Sequence, residues 1–300
     1  MINVMYHYVR PSSEEYPFFN SLDIDVFIKQ LNHFNNEYGF ISKEKYFEAI
    51  SNNKNIDGVV LTFDDGLKDH FSYVLPELKK RNLWGIFYIP SGIFKKKQLL
   101  GVHRVHYLKG KYGADLILNE LKKMITESML DKSKIKEFDK EIYQSASYEV
   151  NEKKLKRLLN YYIKYEYRDL LLDKLMSIFF DEQILYDELY LNKNEIIELK
   201  NCGNIIGSHS VSHRVLSRLS YADQMREIKD SFEYLDNLLK QKYKSFCYPY
   251  GYKSSYNKDT LDILIKLGVN DACVFDNKIQ SNNFNKLELS RIDCNNFLTV

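Results

Sequence analysis

Two short segments carry side chains suited to holding one metal ion between them. Thr62-Phe63-Asp64-Asp65-Gly66 closes the apolar run Gly58-Val59-Val60-Leu61, and His209-Ser210-Val211-Ser212-His213 closes Asn204-Ile205-Ile206-Gly207. Each places ligand-type groups where a buried strand opens into a loop, the edge at which α/β architectures build their sites. Two carboxylates and two imidazoles suffice for a divalent cation, with one carboxylate left over as a base. Adjacent carboxylates raise one another's pKa unless a cation offsets their repulsion. The turn that Gly66 allows can bring both into one cavity. Taken alone, Asp-Asp-Gly is equally well a surface turn, and two histidines four apart are common. Ser210 rather than Glu follows His209, which excludes the H-E-x-x-H pattern of metalloproteases. Together the two segments read as the site of a metal-dependent hydrolase.

The elements that must position these segments follow from periodicity. Residues 2–9 are apolar and aromatic, a buried strand ended by Arg10-Pro11; 58–63 and 84–89 are two more, the last ended by Pro90. Within 22–38, Ile24, Phe27, Ile28, Leu31 and Phe34 recur at helical spacing. Residues 42–50 read as a short helix with Ser42 as N-cap. Residues 68–81 read as a helix in which Pro76 starts a second segment. Such strand–helix alternation is the signature of a parallel sheet or barrel. It stops between about 95 and 200, a stretch rich in Lys, Glu, Leu and Tyr. There Leu155, Leu158, Leu159, Tyr162 and Tyr165 keep helical spacing and no strand is convincing. A helical insertion is expected, acting as a lid or packing layer. Dimerisation or membrane-surface contact through Lys153, Lys154, Lys156 and Arg157 is the lesser reading. Alternation resumes at Asn204, with a strand at 205–206 and a helix at 221–239 behind Ser220 as N-cap. A strand at 246–248 is closed by Pro249-Tyr250-Gly251, a helix at 259–267 ends in Gly268, and the last strands fall at 269–275 and 287–293.

Composition narrows the classes. Hydrophobic residues make up 44% of the 300, enough for a sizeable core, which excludes global disorder. The 43 basic and 41 acidic residues nearly cancel, so charge gives no reason to expect nucleic acid as a partner. The 24 Tyr and 18 Phe suit sugar stacking, though strand and core positions account for most of them. Cys202, Cys247, Cys273 and Cys294 are scattered without a C-x-x-C pair and read as reduced, mostly buried thiols of an intracellular protein. The N-terminus runs straight into a strand, without the basic and apolar regions of a signal peptide. No apolar stretch approaches the ~18–20 residues a membrane span needs. A soluble cytoplasmic protein is expected.

With a third segment added, the motifs resemble a known family. Thr62-Phe63-Asp64-Asp65-Gly66 and His209-Ser210-x-x-His213 look like the first two motifs of the polysaccharide deacetylases, carbohydrate esterase family 4, and Tyr248-Pro249-Tyr250-Gly251 looks like the third. They occur in the family's order, each after a strand, and the likeness runs from the first strand to the last apart from the helical stretch. The resemblance implies an α/β fold, a distorted parallel (β/α)7 barrel, in a single domain of residues 1–300 with a large helical insertion at about 95–200. It implies Asp65, His209 and His213 as ligands of a divalent metal, usually Zn²⁺, with Co²⁺ or Ni²⁺ also suited. It implies Asp64 as the base and the backbone N–H of Tyr250 as a donor to the oxyanion.

Two departures from the family pattern matter. Cys247 stands where an Arg usually precedes the Pro by two residues, and no His follows His213, so the late Leu-x-His that supplies the general acid is missing. Arg291 is the candidate for the missing charge beside Asp64. For the acid, Tyr6-His7-Tyr8 closes the first strand, which in a closed barrel neighbours the last. This resembles a subgroup of biofilm exopolysaccharide deacetylases with permuted motifs and a Tyr-His near the N-terminus, and His7 is the candidate acid. His103 and His106 read as exposed helix positions ahead of cleft-lining ones, and His33 and His70 as helix-surface residues.

The resemblance thus implies a metal-dependent amidohydrolase removing an N-acyl group, acetyl, from an amino sugar of surface-glycan biosynthesis. The substrate would be nucleotide-linked, lipid-linked or an oligosaccharide. N-formyl removal, O-deacetylation, and a non-catalytic carbohydrate-binding or assembly protein are the alternatives. No nucleic acid and no transmembrane segment is expected, and a homo-oligomer is left open.

Overall fold

The computed structural model describes residues 1–133, 149–280 and 284–297. Seven strands form one sheet: β1 (Ile2–Tyr6), β2 (Val59–Phe63), β3 (Gly85–Ile89), β4 (Ile205–Ser208), β5 (Ser245–Cys247), β6 (Asp271–Cys273) and β7 (Arg291–Asp293). Their order is β6-β5-β4-β3-β2-β1-β7, and every pair is parallel. The first three strands are buried at every position, which is why they read as continuous apolar runs.

Register sorts the side chains into two faces. Tyr6, Phe63 and Phe87 stand side by side across β1, β2 and β3, with ring centroids 5.3 and 4.7 Å apart. They pack with Phe27, Leu31 and Phe34 of the helix Ile24–Glu37. The other face carries Asn3, Thr62, Ser245, Asp271 and Arg291, polar and buried. The Arg291 guanidinium on β7 lies 3.0 Å from Cys247 on β5, although these strands are far apart in the sheet order. That contact requires the sheet to curl, with the polar face inside. The distorted parallel (β/α)7 barrel inferred from the motifs is this fold.

The closing segment differs from expectation. Instead of one strand over 287–293, the chain changes neighbours at Ser290. Leu289 exchanges backbone hydrogen bonds with β6 (N to Ala272 O, 2.8 Å; O from Val274 N, 2.9 Å), while Arg291–Asp293 pairs with β1. One short segment thereby joins the two edges of the sheet.

Capping sets several helix starts. Ser42 accepts from Lys45 N, and Ser220 accepts from Asp223 N to open Tyr221–Leu239. The helix Lys258–Lys266 stops at Gly268, whose φ of 66° is the left-handed conformation a helix end favours. The stretch 68–81 is not one continuous α-helix. His70–Val74 is a π-turn closed by Leu75 N to His70 O, and Leu75–Lys80 follows with Pro76 in its first turn. Pro76 has no N–H to give Ser72, so the hydrogen-bond ladder shifts there.

By packing, the described chain divides into two units. Met1–Ser12, Ser21–Lys96 and Leu189–Val300 contain the sheet. Ser13–Asn20 and Lys97–Glu188 make the other, which among its described residues is helical, with an isolated bridge between Leu130 and Ile163. Part of the expected helical stretch, residues 134–148, lies outside the described residues. In the second unit, the buried Arg104 holds Glu182 and Asp173 (2.7 and 2.8 Å), and the buried Lys109 and Lys156 both reach Glu152 at 3.0 Å. Lys156 therefore does not belong to an exposed basic flank with Lys153, Lys154 and Arg157. His103 is buried too, because the helix Gly101–Tyr112 is enclosed on most sides; His106 is partly exposed. Among the described residues, no helix is long and apolar enough to cross a membrane.

Candidate metal centre and active site

Parallel strands bring their C-terminal ends to one rim. His7 follows β1, Asp64 and Asp65 follow β2, His209 follows β4, and Tyr248-Pro249-Tyr250-Gly251 follows β5. The loops that carry them bend sharply. Asp65, Ser210, His213 and Tyr250 all have positive φ (78°, 61°, 54° and 65°), a conformation that costs a non-glycine residue about 1–3 kcal/mol and gathers at functional sites. Asp65 thus bends the chain itself, one residue before Gly66, and this lets two adjacent carboxylates share a cavity.

The two carboxylates have different partners. Asp65 Oδ1 lies 3.6 Å from His209 Nε2 and 3.5 Å from His213 Nε2. His209 Nδ1 donates to the Cys247 carbonyl at 2.8 Å, which leaves the Nε2 lone pair directed at Asp65. Burial lowers the His209 pKa against the pull of Asp64 and Asp65, which favours the neutral ring, the form in which an imidazole can bind a metal. Asp64 Oδ1 instead accepts from Arg291 Nη1 at 2.7 Å. Arg291 also donates to Val274 O (3.2 Å) and to Cys247 Sγ (3.0 Å), and both members of the pair are buried. Burial alone would raise the Asp64 carboxyl; the Arg291 guanidinium, with His209 and His7 adding to it, brings it down to about 2.

His7 sits at the edge of this group. Its Nε2 is 3.8 Å from Asp64 Oδ2 and 3.9 Å from Asp65 Oδ2, and 36% of its side chain is exposed. The Tyr250 ring stands edge-on to His213, with centroids 5.0 Å apart. All the residues singled out from the sequence, His7, Asp64, Asp65, His209, His213, Tyr250 and Arg291, therefore converge at or just beneath one rim.

Residues 175–272 match the family profile described as polysaccharide deacetylase, about a third of the chain, including the His loop and Tyr248-Pro249-Tyr250-Gly251. No curated protein matches the sequence. Among solved structures, the chain is similar to the deacetylase PplD of Streptococcus pyogenes in complex with acetate (22% identity, TM-score 0.60, covering 98% of this chain and 91% of that one). It is similar also to IcaB from Ammonifex degensii (16%, 0.54, 97% and 90%) and to a de-N-acetylase of Aggregatibacter actinomycetemcomitans (14%, 0.56, 99% and 98%). Over that third of the chain the sequence resembles the polysaccharide deacetylases. The likeness to solved structures at these identities shows the fold.

In this deacetylase-like barrel the donor set fits a divalent metal. Asp65, His209 and His213 are buried and offer three ligand atoms within 4.8 Å of one another. A second grouping, Asp64, His209 and Cys247, is equally compact but already has the Arg291 guanidinium against both Asp64 and Cys247. A resident cation there disfavours another, so of the two the first grouping suits a metal better.

Two supporting residues escaped the sequence reading. Glu227, on Tyr221–Leu239, accepts from Val211 N (3.0 Å), Ser212 N (2.8 Å) and Ser212 Oγ (2.5 Å), fastening the His loop from behind. His70 is not a surface residue: it is fully buried, and its Nε2 lies 2.8 Å from the carbonyl oxygen of His7. Its helix-like sequence setting concealed this, since the π-turn changes which side of the segment faces inward.

Proposed function

We propose that the protein is a metal-dependent N-deacetylase acting on an amino sugar. The observation that carries the reading is the sorting of two adjacent carboxylates, Asp65 toward two imidazoles and Asp64 toward a buried guanidinium. Asp65, His209 and His213 would hold the metal, and one carboxylate with two imidazoles suits Zn²⁺, with Co²⁺ or Ni²⁺ also accommodated. Bound there, it would lower the pKa of water enough for a carboxylate as weak as Asp64 to take the proton, and would polarise the acyl carbonyl.

The chain's own groups do the rest. Asp64, ionised and fixed by Arg291, accepts the proton of the attacking water. The Tyr250 N–H donates to the oxygen that gains charge as the carbonyl becomes tetrahedral. His7 gives a proton to the departing nitrogen, which leaves poorly as an anion. Its position within 4 Å of both carboxylates supports catalysis over the non-catalytic sugar-binding alternative, for which no acid is needed at the rim.

Acetyl as the acyl group is supported by the acetate bound to the Streptococcus pyogenes protein, and nitrogen as its bearer by the name of the Aggregatibacter de-N-acetylase. The four free cysteines support a reducing, cytoplasmic setting, and with it a nucleotide- or lipid-linked amino sugar. Residues 1–300 would act as one deacetylase domain with the helical stretch as an insertion.

The test joins elemental analysis with acetate and formate release from N-acetyl, N-formyl and O-acetyl amino sugars, free and nucleotide-linked. About one metal per chain is expected. Asp64→Asn should keep the metal and lose release, and His209→Ala should lose both. Failure of wild type to take up metal even after reconstitution would sink the proposal.

A further inference from the structure

We propose that His70 is a positioning residue for the proton donor, so that the loop bearing Asp64 and Asp65 also holds His7. The inference rests on the reading of His7 as the acid. The β1–β2 ladder ends with Asp64 N to Tyr6 O at 2.9 Å, and the β1–β7 pairing ends at Met5. The carbonyl of His7 lies beyond both ladders and takes its hydrogen bond from His70 Nε2 at 2.8 Å.

A carbonyl can only accept, so His70 Nε2 carries the hydrogen and Nδ1 carries the lone pair. Nδ1 is buried and has no hydrogen-bond partner among the described residues. The ring lies against Phe63 and Phe87, with centroids 5.4 and 5.8 Å away. In that setting an apolar side chain would avoid the unsatisfied Nδ1 but would give up the bond to the His7 carbonyl. A histidine here is better explained by its single directed bond than by packing. The π-turn that begins at His70 is a form that recurs at functional sites. The preceding residue, Asp69, binds Arg10 at 2.7 Å, a second tie between this loop and the chain beyond His7. Proton donors lose effect when displaced by about an ångström, and the His7 side chain is about a third exposed, its approach to Asp64 at 3.8 Å too long for a hydrogen bond to hold it.

Leaving-group chemistry separates positioning from general damage. An aryl acetate releases a phenolate that needs no proton, whereas an N-acetyl amide needs one. His70→Phe is expected to lower kcat for the amide roughly 10- to 100-fold with KM little changed, and to leave aryl acetate cleavage within about twofold. His70→Gln, which can still donate to the carbonyl, should recover most of the loss. Equal losses on amide and ester, or none on either, would overturn the inference. His7→Ala separates this from the underlying reading: if that variant spares amide cleavage, His7 is not the acid. A second readout needs neither turnover nor a variant. Nitrogen-15 NMR of the wild-type histidines should show His70 as the Nε2–H tautomer; an Nδ1–H tautomer would overturn the proposal whatever the activity.

Discussion

Two neighbouring aspartates in one loop have different surroundings, and Arg291 makes most of the difference. Asp64 is held at about 2, below its ordinary 3.8. A carboxyl lowered on folding stabilises the fold fully above its unfolded pKa and loses that contribution as pH falls through the folded value. For the metal-free protein this loss, on the order of 2 kcal/mol, should fall between about pH 4 and pH 2. Arg291→Met removes the guanidinium and leaves a buried, uncompensated carboxylate, which should destabilise by about 3–5 kcal/mol at neutral pH. Burial then raises the Asp64 carboxyl above its unfolded value. The sign reverses, and the variant gains stability as pH falls through the carboxylate range while the wild type loses it. Urea unfolding at pH 7, 4 and 3 reads this, and parallel profiles for the two proteins would show that the pair does not set the Asp64 charge. Sequence reading reached Arg291 as a candidate only because Cys247 left a charge unaccounted for. Its partner is 227 residues away, and no local pattern marks a contact over that separation.

At the scale of elements, strands and capped helices were legible because their causes are local. Ser42 and Ser220 cap where expected, and the amphipathic helix behind Ser220 runs from Tyr221 to Leu239. What that helix does for the site was not legible. Glu227 stands six residues beyond its start at Tyr221 and reaches a loop 15 and 16 residues earlier in the chain, a link that depends on packing rather than periodicity. Removing its charge tests whether ligand geometry depends on this support. Glu227→Gln keeps the side chain's size but gives up one of its two acceptor oxygens, so the His loop should loosen. Metal affinity is expected to fall about 10- to 100-fold with the metal-free melting temperature nearly unchanged. Competition with a chelator and thermal unfolding measure the two. Unchanged affinity would mean that the loop's own strained backbone suffices to aim His209 and His213. The His70 misreading has the same origin: 68–81 has helical spacing, and only Pro76 hinted that the ladder would break.

For the molecule as a whole, strand–helix alternation announced a parallel sheet or barrel and the motif resemblance the barrel, but neither said how it closes. The last strand, expected as one run over 287–293, is shared between β6 and β1, with the change of neighbour at Ser290. A chain truncated after Ser290 would lose both the second neighbour of β1 and the counter-ion of Asp64, and is expected to unfold without a cooperative transition in circular dichroism. Arg291 opens the strand that completes this seam. In the order of synthesis, residues 64 and 65 leave the ribosome more than two hundred positions ahead of it. Until that strand docks, the two acids have no guanidinium to set them apart, and the His loop has nothing differentiated to face. Under the proposed function, a growing chain would therefore stay silent toward its substrate, and its activity would switch on all at once, when the seam is drawn shut.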